Sequence, residues 1–307
     1  MPALLNQTYR LPYRHGVPSS GGRFPDGAGF RIEIPSVEGP AVLEAVLSAA
    51  AEHDVVVNRV SQGSGAMLLT VSELRDMAAM GAENGLEVSL FVGPRESFDV
   101  GANARTPEGM GRGGQLRGLR QLMYGVEDVV RAVDAGIRSF LIADIGLLVA
   151  LRDLQRTGEL PEECVWKISV SLAPSNPAAL RVLADLGAST VNVPSDLTYA
   201  DLAEMRAVTD LPLDLYLESS DGLGGVVRGH EIADLVAIGA PLYAKFGLRN
   251  ARDVYPCGEQ VLEDAVRNVR AKVHRAAVAL EWLARSGADA VQSGPHAAGL
   301  GVPRRVV

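Results

Sequence analysis

Segments with the two-residue period of a β-strand alternate with segments of helical period along most of this chain, and the alternation repeats eight times. The strand candidates are FRIEIPSV (30–37), VVVNRVS (55–61), LEVSLFVG (86–93), SFLIAD (139–144), WKISVSLA (166–173), TVNVPSD (190–196), LDLYLES (213–219) and LYAKFGL (242–248). They are short, rich in Val, Ile, Leu and Phe, and end at Gly, Pro, Ser or Asp. A helical segment follows each, from PAVLEAVLSAAAEH after the first to EQVLEDAVRNVRAKVHRAAVALEWLARSG after the last. Start and stop signals agree: Pro40 suits a first turn, Thr70 or Ser72 a cap, and Gly85 a stop.

Eight βα units over about 250 residues is the count of an α/β chain folded as a (β/α)8 TIM barrel. A doubly wound open sheet is the competing arrangement; the count of eight and the lack of a domain linker favour the barrel. The expected organisation is an irregular Gly-, Pro- and Ser-rich N-terminal arm over 1–29, the barrel over 30–285, and an irregular, mobile tail over 286–307. The apolar face of the last helix (Val261, Val266, Val269, Val273, Val278 and Leu280) covers the barrel, or else meets a partner or a second copy in a homo-oligomer.

At 47% hydrophobic and 21% charged residues the chain can bury a large core. A net charge of −8 with only 5% aromatics argues against nucleic-acid binding. Two cysteines, Cys164 and Cys257, make no disulfide framework and no four-cysteine zinc or iron–sulfur site, and they fit a reducing cytoplasm. No apolar run approaches the roughly 20 residues of a membrane span, and the N-terminus shows no signal-peptide core. The expectation is a cytoplasmic protein with a small-molecule substrate and no membrane partner.

Barrel enzymes place their chemistry at the C-terminal ends of the strands. Glu33 and Ser36 stand there on the first strand, and Asn58, Arg59, Ser61 and Gln62 on the second. The later strands offer Arg95, Asp144, Lys167, Ser169, Ser171, Asn192, Ser195, Asp196, Asp214, Tyr216, Glu218, Tyr243, Lys245 and Arg249. Parallel strands are ordinarily apolar on both faces. So heavy a polar load therefore points these side chains into the barrel, where they contact substrate or form a structural network. In LDLYLESSDGLGG (213–225), Asp214 lies deep, Tyr216 and Glu218 lie nearer the mouth, and the three leucines face the helices.

Three chemistries fit. Lys245, or Lys167, attacks a carbonyl as a Schiff-base amine while Glu218 or Asp144 moves protons. Alternatively Glu33, Asp144 and Glu218 hold Mg²⁺ or Mn²⁺. In the third, Lys245 and Glu218 act alone as acid and base, and a buried salt bridge between them is the structural alternative. After strand seven, Gly222, Gly224 and Gly225 with Arg228 and Arg249 form a candidate anion site. The long loop 95–118 contains G-x-G-x-x-G at Gly109, Gly111 and Gly114, too far from its strand for a dinucleotide fingerprint. It reads as a lid or subunit contact whose Arg105, Arg112 and Arg117 could meet an anion. Ser64 in QGSGAM lacks a nucleophile elbow, and Cys257 reads as structural.

The segments RIEIPSVEGPAVLEAV, ADLGASTVNVPSDLT and YLESSDGLGG resemble a divergent branch of the peptidase U32 family, over roughly 30–285. The resemblance implies a barrel and, by the family's name, proteolysis, although relatives act in RNA hydroxylation or quinone synthesis. Where such proteins carry an acidic residue, an aromatic, a glycine and close-set cysteines, this chain keeps Glu218 and has no cysteine. The iron–sulfur cofactor of the four-cysteine members is therefore not expected. The favoured expectation is an enzyme of lyase, aldolase or isomerase type acting on a small polar or anionic substrate, with Lys245, Glu218 and Asp144 catalytic. Substrate contacts are expected from Glu33, Asn58, Arg59, Gln62, Arg95, Ser171, Asn192, Tyr216, Gly222, Gly224 and Arg249. A hydrolase or peptidase and a non-catalytic scaffold are the alternatives.

Overall fold

The computed structural model describes residues 16–98, 101–102, 106, 113–172 and 174–306. Arg105, Gly109, Gly111 and Arg112 of the long loop lie outside the described residues. Eight parallel strands close on themselves in sequence order, β1 beside β2 and so on round to β8 beside β1. They are β1 (Phe30–Pro35), β2 (Arg59–Ser61), β3 (Glu87–Phe91), β4 (Ser139–Ile142), β5 (Val165–Ile168), β6 (Thr190–Asn192), β7 (Leu213–Glu218) and β8 (Leu242–Phe246). Between and after them run α1 (Pro40–His53), α2 (Val71–Asn84), α3 (Gly118–Asp134), α4 (Ile145–Thr157), α5 (Pro177–Asp185), α6 (Tyr199–Arg206), α7 (Ile232–Gly239) and α8 (Leu262–Ser286).

Local chemistry sets the helix ends. Thr70 and Glu73 form a reciprocal capping box on α2, which stops at Gly85 in the left-handed region. Thr198 and Asp201 repeat the box on α6, and Asn176 caps α5 ahead of Pro177. With the termini fixed in this way, each helix lays one apolar stripe on the strands. The outward strand residues, such as Ile32, Val60, Val88, Phe140, Trp166 and Leu215, are fully buried beneath them. Phe140 and Trp166 stack with centroids 5.7 Å apart, and the Trp166 indole N–H donates to Gln155 of α4 at 2.8 Å. On α8 the apolar residues buried against the barrel are Ala265, Val269, Val273, Ala276, Ala279 and Leu283; of the expected face only Val269 and Val273 are among them, and Val261, Val266, Val278 and Leu280 are half-buried.

The tail beyond α8 forms no helix, and it packs under the barrel rather than hanging free. It crosses the N-terminal ends of the strands as a floor. Gln292 bridges to Phe30, Asn58 donates to the carbonyls of Ser293 and Gly294, and the Gly301 amide reaches Glu87 at 3.2 Å. Arg304 N–H closes on the Gly136 carbonyl at 2.8 Å. From the other terminus Phe24 joins the floor, edge-on to Tyr243 at 5.3 Å and under the Arg31 guanidinium at 4.0 Å. No helix among the described residues is long and apolar enough to cross a membrane.

The outer layer makes a direct prediction. Trp166→Ala removes a fully buried ring and its hydrogen bond to α4, and should cost about 3–5 kcal/mol of unfolding free energy in urea titrations.

Candidate functional site

Register puts the polar side chains on the inner wall. Glu33 of β1 lies level with Arg59 on one side and Lys245 on the other, Arg59 level with Glu87, and Tyr216 level with Lys245. Side chains paired across strands share a face. Arg59 is the hub: Nε donates to Glu87 at 2.7 Å, and Nη1 donates to Asp214 at 3.1 Å and Glu33 at 3.3 Å. Two lysines converge on the same oxygen of Glu33. Lys167 Nζ donates to Oε1 in a very short bond, and Lys245 Nζ lies 3.2 Å from it. Lys167 also lies 3.8 Å from Asp214, while Lys245 donates to Asn192 Oδ1 at 2.6 Å and sits 4.2 Å over the Tyr216 ring.

All these groups are buried. Burial opposes the charge on Glu33, but Lys167, Lys245 and Arg59 outweigh it and hold the carboxyl well below its ordinary value. Burial wins at Asp214, raising its carboxyl against the pull of Arg59 and Lys167. The two lysines split. Burial draws Lys167 down to about 7, with Lys245 and Arg59 adding to the effect and Glu33 and Asp214 resisting it. Burial works the same way on Lys245, but Glu33, Tyr216 and Asp214 overcome it and raise that ammonium.

The structure separates Lys245 from Glu218. A register shift between Tyr216 and Glu218 places Glu218 level with Phe246, which points outward because its neighbour Lys245 points in. The extra residue reverses the alternation. Glu218 accepts from the Arg249 amide at 3.0 Å and pairs with Arg275 of α8 at 3.2 Å. Asp144 also has another role: Oδ1 caps α4 through the Leu147 amide at 2.8 Å, and Oδ2 accepts from the Leu116 amide at 3.0 Å. Glu33, Asp144 and Glu218 therefore do not converge as metal ligands. Among the described residues no group of three or more His, Cys, Asp or Glu is placed to hold a metal ion.

Of the expected contact residues, Glu33, Arg59, Asn192 and Tyr216 come together in the interior. Asn58 belongs to the opposite end, where it binds the tail and accepts from the Ile32 amide at 3.0 Å. Gln62 closes a turn with Gly65, and Arg95 ties down the carbonyls of Gly63 and Ser64 while stacking on Phe91 and Phe98. Ser171 is exposed, its hydroxyl accepting from Ser169 Oγ at 3.2 Å. In the glycine loop the amides of Gly224 and Gly225 bond to Asp221 and Ser220 of the same loop, and Gly222 faces open space. Arg228 is buried on the carbonyls of Ser195 and Leu197, which leaves Arg249, half-exposed beside Asp221. Cys257 is half-buried, its amide donating to Ser64 at 2.8 Å and its thiol raised by burial.

Sequence reasoning missed Glu87, Thr190 and Ser89. Glu87 anchors Arg59, Thr190 donates to Asp214 at 3.0 Å, and the Ser89 hydroxyl is buried without a partner among the described residues. It also passed over a strong compositional signal. Of the 29 lysines and arginines only three are lysines, Lys167, Lys245 and Lys272, and all three are buried. Lys272 of α8 donates to the Pro35 carbonyl at 2.8 Å, and burial lowers it to about 8.

No family model matches the chain, and no curated protein matches it. Among solved structures it is similar to the U32 peptidase Mk0906, with 16% identity, TM-score 0.40, and 68% of this chain against 73% of that one. It is also similar to thiamine phosphate pyrophosphorylase from Pyrococcus furiosus (7%, TM-score 0.47, 83% against 98%). Oxaloacetate acetylhydrolase in complex with oxalate gives 13%, TM-score 0.44, and 71% against 75%. Matches at this level carry no argument about activity, and the barrel stands on its own strand order.

The network predicts a pH-dependent cost. Glu33 is more acidic folded than unfolded, so its stabilisation is present above its unfolded value of 4.5 and is lost as pH falls below that. Glu33→Gln should cost about 3–5 kcal/mol near neutral pH, because it leaves two ammonium groups short of a partner. The penalty should shrink steadily between about pH 5 and pH 3 in urea unfolding.

Proposed function

We propose that this chain is a barrel enzyme that forms a Schiff base between Lys167 and a small carbonyl compound, and uses it for lyase- or aldolase-type chemistry. The observation that supports this most is the pair of buried lysines on one oxygen of Glu33. An amine becomes a nucleophile when it is desolvated beside a second cation, which favours its neutral form. Lys167 meets both conditions. Lys245, held charged by Glu33 and Asn192, is that second cation.

Neutral Lys167 adds to the carbonyl carbon, and the oxygen takes a proton. Loss of water from the carbinolamine leaves an iminium, which accepts the electron pair of a neighbouring carbon–carbon or carbon–hydrogen bond as it breaks. Glu33 and Asp214 lie within reach of Lys167 to carry protons, with Tyr216 on the mouth side. Entry is from the C-terminal face, where Tyr216 and Lys245 are the least enclosed of the group. Arg249 and Arg275, half-exposed on the rim, are the cations offered to an anionic substituent. The same reading keeps the chain a divergent relative of the U32 barrels, supported by segment order and by Glu218 at the end of β7. A purely structural core is favoured by one fact: nearly every interior charge already has a partner.

Borohydride trapping decides between the two. With a pool of keto acids and aldehydes, mass spectrometry should find a reduced adduct on Lys167, absent in Lys167→Met. The rate of adduct formation should rise as pH passes about 7 and level off above it, because the neutral amine is the reactive form. No other lysine competes from the surface. Failure to label Lys167 with any carbonyl would overturn the Schiff-base reading and leave the structural one.

A further inference from the structure

We propose that the C-terminal segment 287–306 is a positioning element for the reactive lysine, acting through Glu87 and Arg59. The inference rests on Lys167 as the reactive amine. The segment lies at the far end of the barrel from the mouth, so it touches no substrate. Its reach into the site is a chain of four contacts. The Gly301 amide donates to Glu87 Oε2 at 3.2 Å, and Ser139 Oγ donates to Oε1 at 2.7 Å. Oε1 also takes the Arg59 Nε–H at 2.7 Å. Through Nη1, Arg59 then holds Asp214 and Glu33, the two carboxylates that face Lys167.

The segment also closes the floor. Arg31, buried just below this tier, donates to Ser293 Oγ at 2.9 Å and to the Ala298 carbonyl at 2.6 Å. Gly301 is pressed against the ends of β4 and β5. A Cβ there would stand 2.9 Å from Val165 Cγ2, 3.2 Å from Ser139 Cβ and 3.3 Å from the Arg138 carbonyl, so a larger residue forces the segment and these strand ends apart. Without the floor, water reaches the charged tier from below, and the desolvation that favours neutral Lys167 weakens. The charged groups facing Lys167 are Glu33 from β1, Arg59 from β2, Asp214 from β7 and Lys245 from β8. Glu87 reaches it through Arg59.

Two full-length variants test this with opposite signs. Glu87→Gln leaves Arg59 less neutralised and free to draw Glu33 and Asp214 toward itself, so Lys167 should lose its proton at lower pH. Gly301→Val should lift the floor and move the Lys167 midpoint up, toward an ordinary lysine. The readout is NMR of protein carrying isotope-labelled lysine side chains, in which the three lysines give three signals to titrate without any substrate. Each variant should move the Lys167 midpoint by about one unit, a tenfold change in proton affinity. Lys272, on the helix layer near the mouth end, should keep its midpoint. Unchanged Lys167 titration in both variants, with only the thermal midpoint lowered, would reduce the segment to a structural brace and overturn the proposal. Where Gly301→Val collapses the three signals into one unfolded position, Gly301→Ala, the smaller intrusion, gives the same reading. The two ideas fail separately. Shifted Lys167 without carbonyl trapping removes the Schiff base and keeps the positioning. Trapping with an unshifted Lys167 does the reverse.

Discussion

Everything inside this barrel depends on Arg59. A guanidinium cannot shed its proton on burial as a lysine can, so it has to be surrounded by anions. Glu87, Asp214 and Glu33 do this from three different strands, and the Tyr243 ring lies 3.5 Å from the guanidinium carbon. Once these carboxylates are fixed, two of them face the lysines. Glu33 cannot satisfy Arg59, Lys167 and Lys245 equally. Burial disfavours the charge on both lysines; Glu33 and Asp214 only resist it at Lys167, whereas Glu33, Tyr216 and Asp214 overcome it at Lys245, although both stand on the same oxygen.

The fold was legible because its signal is redundant. Eight strand-like and eight helix-like segments state the same period many times over, so errors at single ends, such as β2 beginning at Arg59 rather than Val55, leave the topology intact. The inward direction of the alternate polar residues was legible for the same reason. Glu33, Arg59, Lys167, Asp214 and Lys245 all follow the strand period.

The details of the site were less legible, for three physical reasons. Strand ends cannot be told from composition, which alone puts Asn58 with the mouth, although it precedes β2 and serves the floor. A capping aspartate and a catalytic aspartate look alike in sequence, and the side chain of Asp144 caps α4. Glycine loops advertise free amides only when nothing in the loop uses them, and Ser219, Ser220 and Asp221 use those of Gly224, Gly225 and Val226. The tail had no period to read, since its order comes from contacts with strands two hundred residues away in sequence.

The bulge in β7 has one more consequence. Up to Tyr216 the strand faces the interior with its polar residues, and one added position sends Glu218 to the helix layer instead. The charge inside the barrel is therefore set partly by strand register. Had β7 kept its register past Tyr216, Glu218 would share the inward parity of Asp214 and Tyr216 and add a carboxylate to the interior without changing the identity of any side chain. In chains of this kind an insertion or deletion in a strand acts as a charge mutation at a distance. Comparing such barrels residue by residue, without tracking bulges, assigns acids to the wrong side of the wall.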